Sequence, residues 1–287
     1  MGTNLTAVTL LHNVNAIKYP WRQSFYSALP IVDRFVWVVA GPHEDDTEPC
    51  VLELARQHKD KVVIVGSRML FHSANALGIN AYHLDSVVWP SNSDGLSTLV
   101  NDGFSFASDE NNDKLWVFQL QADEILNEND YDEFLKLPTL ADNFKAASWR
   151  FRHYCGDFRH IHPFMYAAAD FPDFKPKRIV RCCRYDSDWV NAGDAAQCLG
   201  TGDVYESSIV VHHCGKVHVG RAMEAAKKEF DFQTQLYTGV FDPDPRIVKA
   251  YKGGGIDYFT IGENIKEFSG PWPLWVKDYA KELGEEL

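Results

Sequence analysis

The chain has 287 residues, 45% of them hydrophobic, which is enough for one large α/β domain or two small ones and excludes a disordered, collagenous or coiled-coil protein. With 28 Lys and Arg against 40 Asp and Glu, the formal charge of -12 excludes nucleic-acid binding through a broadly basic surface, though not through a local basic groove. The longest apolar runs, such as 31–40 and 61–65, are too short to cross a bilayer and carry charges.

The N-terminus, MGTNLTAVTLLHNVN, lacks the basic start and long apolar stretch of a secretory signal, so a cytoplasmic protein is expected. The six cysteines (Cys50, Cys155, Cys182, Cys183, Cys198 and Cys214) are scattered through a chain that needs no staples, and reduced thiols are expected.

Residues 7–12 (AVTLLH) and 32–40 (VDRFVWVVA) read as strands flanking a helix that ends near 24–29, which makes a β-α-β unit. Residues 49–58 (PCVLELARQH) open on a proline and carry apolar residues at helical spacing, and 61–66 (KVVIVG) is the next strand. Such alternation predicts a parallel sheet. Residues 68–97 break the pattern and read as an insertion over the sheet. A helix over 98–107 then leads to a buried strand at 115–120 (LWVFQL). Past Leu140 the pattern changes. Residues 146–154, 177–183 and 206–212 alternate like antiparallel strands, 219–237 reads as an amphipathic helix, and a short helix is expected near 275–283. The first half is thus a Rossmann-like layout without the glycine fingerprint of dinucleotide folds.

The segment 116–128, WVFQLQADEILNE, is a buried strand that ends in two adjacent acids. Ligands of open α/β sheets sit outside the carboxyl ends of the strands, so Asp123 and Glu124 would project where a phosphate binds, and their hard oxygens suit Mg²⁺ or Mn²⁺. An acidic cap on the following helix would leave the same trace.

WVFQLQADEIL resembles the strand and metal-binding turn of GT-A glycosyltransferases, close to family 2, whose usual form is Asp-x-Asp, often followed by Glu. Here Gln121 replaces the first acid, which leaves Asp123 as the matched metal ligand, with Gln121 placed to hydrogen-bond a metal-bound water or the donor ribose. VTLLHNVN resembles the family's opening strand, whose end at Asn13 touches the nucleotide, and AGPHEDDTE resembles the turn that would bring Asp45 to the nucleobase. LVNDGFSFA resembles the helix with Asn-x-Gly before the metal strand. WVNAGDAAQ resembles the acceptor-side segment, which would make Asp194 the general base, with Asp157, Asp186 and Asp188 as the fallback acids.

In VVHHCGKV, similar to the region where a histidine completes the metal shell, alternation lets only one of His212 and His213 face the pocket; His212 is the expected ligand and His213 the alternate. No pair of His and Cys has the usual spacing of structural zinc.

The resemblance implies a GT-A domain with residues 1–145 as its nucleotide-sugar half, 146–240 as its acceptor half and 241–287 as a C-terminal extension or lid. It implies an inverting glycosyltransferase that uses Mn²⁺ or Mg²⁺ and a nucleotide-diphospho-sugar, with a UDP-sugar the expected donor. The acceptor is a glycan hydroxyl or, given the arginines and histidines of RFRHYCGDFRHIHPF and KPKRIVRCCR, a hydroxymethylated DNA base. Two other readings stand beside it. One is a phosphohydrolase with two metals on Asp123, His153 and His212, and the other is a non-catalytic nucleotide-sugar-binding module.

Overall fold

The computed structural model describes residues 2–90, 93–108, 114–161, 169–170, 178–192, 197–215, 217 and 266–287. The expected helix at 219–237 and Asp194 lie outside them.

The sheet is built on β1 (Leu5–Leu11), β2 (Arg34–Val39), β3 (Val62–Gly66), β4 (Asn80–His83) and β5 (Trp116–Gln119), which lie side by side, all parallel, in the order β4-β3-β2-β1-β5. Between them run α1 (Val14–Ile17), α2 (Trp21–Ala28), α3 (Thr47–Gln57), α4 (Arg68–Ala76) and α5 (Ser93–Ser105). Helices cover both faces, so strand residues of either parity are buried. In β2, Phe35, Trp37 and Val39 join the core on one face, while Val36 and Val38 join the core under α5 with Leu99, Val100 and Phe104. Each such side chain contributes about 1.5–3 kcal/mol relative to exposure. The helix lies close because Gly103 has no side chain. A Cβ there would stand 2.6 Å from Val8 and 2.7 Å from Val38.

Residues 68–97 correct the sequence reading. They are no insertion over the sheet but begin with one more helix and strand, α4 and β4, extending the sheet at its edge. The edge position explains the weak signal, since β4 buries fully only Ala81 and α4 only Leu70 and Ala74.

Beyond β5 the sheet reverses direction. β9 (Ile179–Arg184) pairs antiparallel with β5, and β7 (Ala146–Cys155) pairs antiparallel with β9. The long strand β12 (Val204–His213) runs parallel to β7, although its alternation had suggested an antiparallel partner. It is antiparallel only to the two-residue β6 (Glu124–Ile125). After β6 comes α6 (Tyr131–Lys136); β8 (Asp157–Ile161) turns back from β7 and pairs with β13 (Lys266–Glu267). β10 (Val190–Ala192) and β11 (Gln197–Leu199) form a separate pair.

The last helix, α7 (Leu274–Glu282), returns to the first half of the chain. Gln23 of α2 donates to Asp278 and Glu282, Tyr279 donates to the Lys18 carbonyl, and Trp275 stacks on Tyr26. Val276, Tyr279 and Ala280 close a third core with Ile125, Tyr154 and Phe158. No described helix is long and apolar enough to cross a membrane.

Candidate functional site

The order β2-β1-β5 places the chain's crossover at β1: the connection from β1 leads to one side of it and the return from β4 to β5 leads to the other. The carboxyl ends of β1 and β5 therefore border the crevice in which open α/β sheets hold their ligands. Four of the expected residues (Asn13, Asp45, Gln121 and Asp123) follow strand ends at this edge of the sheet.

At the β1 end, Asn13 adopts a left-handed conformation (φ 48°) and binds the loop after β2. Its Oδ1 accepts from the Glu44 N–H at 2.8 Å, and its own N–H donates to His43 Nδ1 at 3.3 Å. His12 donates from Nδ1 to the Ala40 carbonyl at 2.7 Å, which leaves its Nε2 to accept from Asn13 Nδ2 at 3.1 Å. The network needs both imidazoles neutral, and burial keeps them so, holding His12 below its ordinary value and His43 at about 4. Trp89 stacks on His12 at 4.2 Å, so part of the 68–97 segment reaches this edge.

Asp45, expected at the nucleobase, spends its carboxylate on the backbone. Oδ2 accepts from Ala16 N–H at 2.7 Å and Oδ1 from Thr47 N–H at 3.0 Å. Burial pushes this carboxyl up, but the Thr47 and Ala16 hydrogen bonds outweigh it and hold it below the usual range. In this geometry Asp45 ties α1 to the start of α3.

At the β5 end the two adjacent acids part company. Glu124 does not project toward a ligand, as the sequence suggested. It is fully buried, with Oε2 accepting from the Gln121 N–H at 2.8 Å and Oε1 lying 2.5 Å from Arg181 Nη2. Burial pushes its carboxyl up and the Arg181 guanidinium opposes that. Arg181 also donates to Gln119 Oε1, which accepts from Asn191 as well; Asn191 in turn exchanges two hydrogen bonds with Asn101 of α5. One buried polar chain thus runs from the turn at Asp123 to the helix carrying Asn-x-Gly. Asp123 is the acid left at the crevice.

The histidine facing Asp123 is His213, not the expected His212. His213 Nε2 lies 3.3 Å from Asp123 Oδ2, and the Cys214 N–H donates to the Asp123 carbonyl at 2.8 Å. His212 lies in register with Ile125, and its Nδ1 meets the Tyr154 hydroxyl at 2.8 Å inside the core covered by α7. Burial holds the His212 imidazole well below its ordinary value. The strand does alternate its faces; the pairing with β6 decides which face looks at Asp123.

His153, level with His213 on β7, brings its ring centroid to 5.0 Å from that of His213. Gly215 completes the fit, since a Cβ there would stand 2.1 Å from Asp123 Oδ2. Among the described residues, no three His, Cys, Asp or Glu gather into a group able to hold a metal by themselves.

Two of the fallback acids belong elsewhere. Asp186 pairs with Arg184, which sits opposite Trp116 at the start of β5, and Asp188 accepts from Thr201. That is the amino end of the strand whose other end leads to Asp123. Asp157 is the first residue of β8 and binds His160.

The arginines read as a local basic patch are also largely neutralised. Arg152 pairs with Asp170, Arg178 with Glu206, Arg181 with Glu124 and Arg184 with Asp186.

No family model matches the chain, and no curated protein matches it. A solved structure described as a mycobacterial protein is similar over 94% of this chain and 83% of its own, with 13% identity and a TM-score of 0.39.

Proposed function

We propose that the chain is a metal-dependent glycosyltransferase that takes a nucleotide-diphospho-sugar, a UDP-sugar first among the donors to test, with a fold of the GT-A type. The observation that carries this reading is the turn after β5, where the largely buried Asp123 meets His213. A carboxylate oxygen and an imidazole nitrogen form a donor set acceptable to Mn²⁺ and less suited to Mg²⁺. Asp123 and His213 would hold the ion, and the diphosphate and water would fill its remaining positions. Bound there, such an ion supplies charge neutralisation to the departing diphosphate.

The chain's own residues have separate tasks in this reading. Glu124 and Arg181 fix the turn so that Asp123 faces His213, Gly215 keeps the approach open, and Asn13 holds the loop that borders the nucleotide side. Asp194 is the proposed general base, taking the proton of an attacking hydroxyl opposite the leaving group, which inverts the anomeric centre. A glycan acceptor is favoured over a modified DNA base because the arginines of the second half are mostly committed to carboxylates. The phosphohydrolase reading keeps Asp123 and His153 but loses His212, which is turned into the core.

The test is nucleotide release from UDP-sugars with Mn²⁺, with and without glycan acceptors. Release that needs both metal and acceptor, and that Asp123→Asn reduces by roughly 10²-fold or more, supports the transferase. Equal release without acceptor makes the protein a hydrolase, and nucleotide-sugar binding without turnover makes it a binding module.

A further inference from the structure

A cleft of about 710 Å³ opens between the end of α5 and residues 183–190. It meets the sheet at Val117 and Arg184, level with the start of β5, whereas Asp123 follows that strand's other end. Phe104, Val117, Trp189 and Val190 supply its apolar surface. Val190 continues into an exposed pair with its cross-strand partner Leu199, each of them 52% exposed.

The walls are fixed before any ligand arrives. Trp189 donates from Nε1 to the Thr201 carbonyl at 2.8 Å. Gly200 packs so closely against its ring that a Cβ there would stand 2.5 Å from Trp189 Cγ. Asn191, next to Val190, exchanges two hydrogen bonds with Asn101 of α5, and the Tyr185 hydroxyl donates to the Ser105 carbonyl at 3.3 Å. The two sides of the cleft are thus tied together, and a cavity held in this way loses little freedom on binding.

The charged groups narrow the class of ligand. Arg184 and Asp186, the two charged residues among those described in the wall, lie 2.5 Å apart and neutralise each other. An ionic ligand would lose hydration there without gaining a countercharge. Arg184 is buried and also donates to the Ala141 carbonyl, but the Asp186 side chain is 41% exposed. A carboxylate has room for more than one donor, so Asp186 can accept a hydrogen bond from a ligand as well.

We propose that this cleft is a second binding site, taking a neutral phenol-type aromatic molecule whose ring lies against Trp189 and Phe104 and whose hydroxyl donates to Asp186. The volume falls within the range of small-molecule pockets, about 300–1,000 Å³. Aromatic walls add ring-to-ring contacts to plain apolar burial. Neither Asp123 nor His213 lines the cleft, so the site stands or falls separately from the transferase reading.

The experiment uses the full-length chain and 4-hydroxybenzophenone at mildly acidic pH, where the phenol keeps its proton. Calorimetry reads binding, and irradiation followed by peptide mass mapping locates the probe. The expected result is one saturable site, with the label on residues 101–105 and 183–190. 4-Methoxybenzophenone, which lacks the donor, should bind roughly tenfold more weakly, and the anionic 4-benzoylbenzoate no better than that. Ser105→Phe, which brings a ring to the cleft from an exposed position of α5, should abolish labelling of 183–190 while circular dichroism stays native. Because the wild-type label map alone locates the site, a variant that fails to fold does not decide the matter. No saturation up to the probe's solubility, a label elsewhere in the chain, or tighter binding of the methoxy or anionic probe would each overturn the proposal.

Discussion

The two halves of the sheet solve burial in different ways. From β4 to β5 the strands are parallel and their interior is largely apolar on both faces, with Thr6, Thr9 and Gln119 the buried polar exceptions, so order comes mainly from shape and volume. From β9 to β12 the strands also have buried apolar residues, but threaded among them are Arg181, Glu124, His153, His212 and His213, linked to Gln119 at the end of β5 and to Asn191 of β10. Such groups are tolerated only with partners, because an unpaired buried charge or amide loses its hydration without return. The first half is therefore sensitive to a misplaced methyl group, and the second to a missing partner. The candidate site lies on the seam between them, its turn packed by one half and oriented by the other.

The sharpest way to break this comparison is at Glu124. Glu124→Gln should leave Arg181 buried beside a neutral amide and cost about 3–5 kcal/mol in urea unfolding. Replacing both partners, as in Glu124→Leu with Arg181→Met, should recover most of that loss. A double variant as unstable as the single one would mean that packing, not pairing, governs the second half.

In the parallel half, Gly103→Ala should destabilise by about 1–3 kcal/mol through overpacking against Val8 and Val38, again read by urea unfolding. A neutral result would show that α5 can lift away from the sheet, and the claim of tight packing there would fail.

At the seam, Gly215→Ala should act mainly on the site. The added methyl group must displace the Asp123 carboxylate, so Mn²⁺ affinity measured by calorimetry should fall roughly tenfold, with a smaller change in stability. His213→Ala should weaken Mn²⁺ binding as well, and His212→Ala should not, because the His212 ring faces Tyr154.

The smallest effect concerns pH. His43 has a folded-state value of about 4 against an ordinary 6.5, so the unfolded chain takes up its proton first. Its contribution to stability is thus complete above about pH 6.5 and is lost as the pH falls toward 4, where the folded state also protonates. Unfolding free energies at pH 7 and pH 5 should differ more for the wild type than for His43→Gln. An equal pH dependence would remove His43 from the account.

How far the sequence could be read follows the same division. Unbroken runs such as RFVWVV and VVIVG can only be strands buried on both faces, and the β-α-β order follows from them. α4 and β4 escaped because an edge strand and its helix bury one narrow stripe each. Asp123 was legible as an acid at a strand end. Glu124 was not legible as an inward group, since its direction depends on Arg181, 57 residues away. The choice between His212 and His213 was likewise undecidable from alternation, which gives two faces but not which one meets Asp123; the register His213↔Glu124 supplies that.

The closure by α7 carries a consequence for the order of events as the chain is made. Tyr279 donates to the Lys18 carbonyl across 261 residues, and the Leu274 N–H meets Glu128 across 146. The strands β1 to β4 can pair as they emerge, because each next neighbour follows after a short helical connection, whereas β5 returns to β1 from more distant sequence. The cover that α7 gives to the core of Ile125, Tyr154 and Cys214 comes only once residues 274–282 have left the ribosome. Long-range closures of this kind are the slow ones, since their loop entropy is lost before their contacts form. The strand pair that brings His213 to Asp123 borders this core, so the shelter that α7 gives the turn waits on the synthesis of residues 274–282.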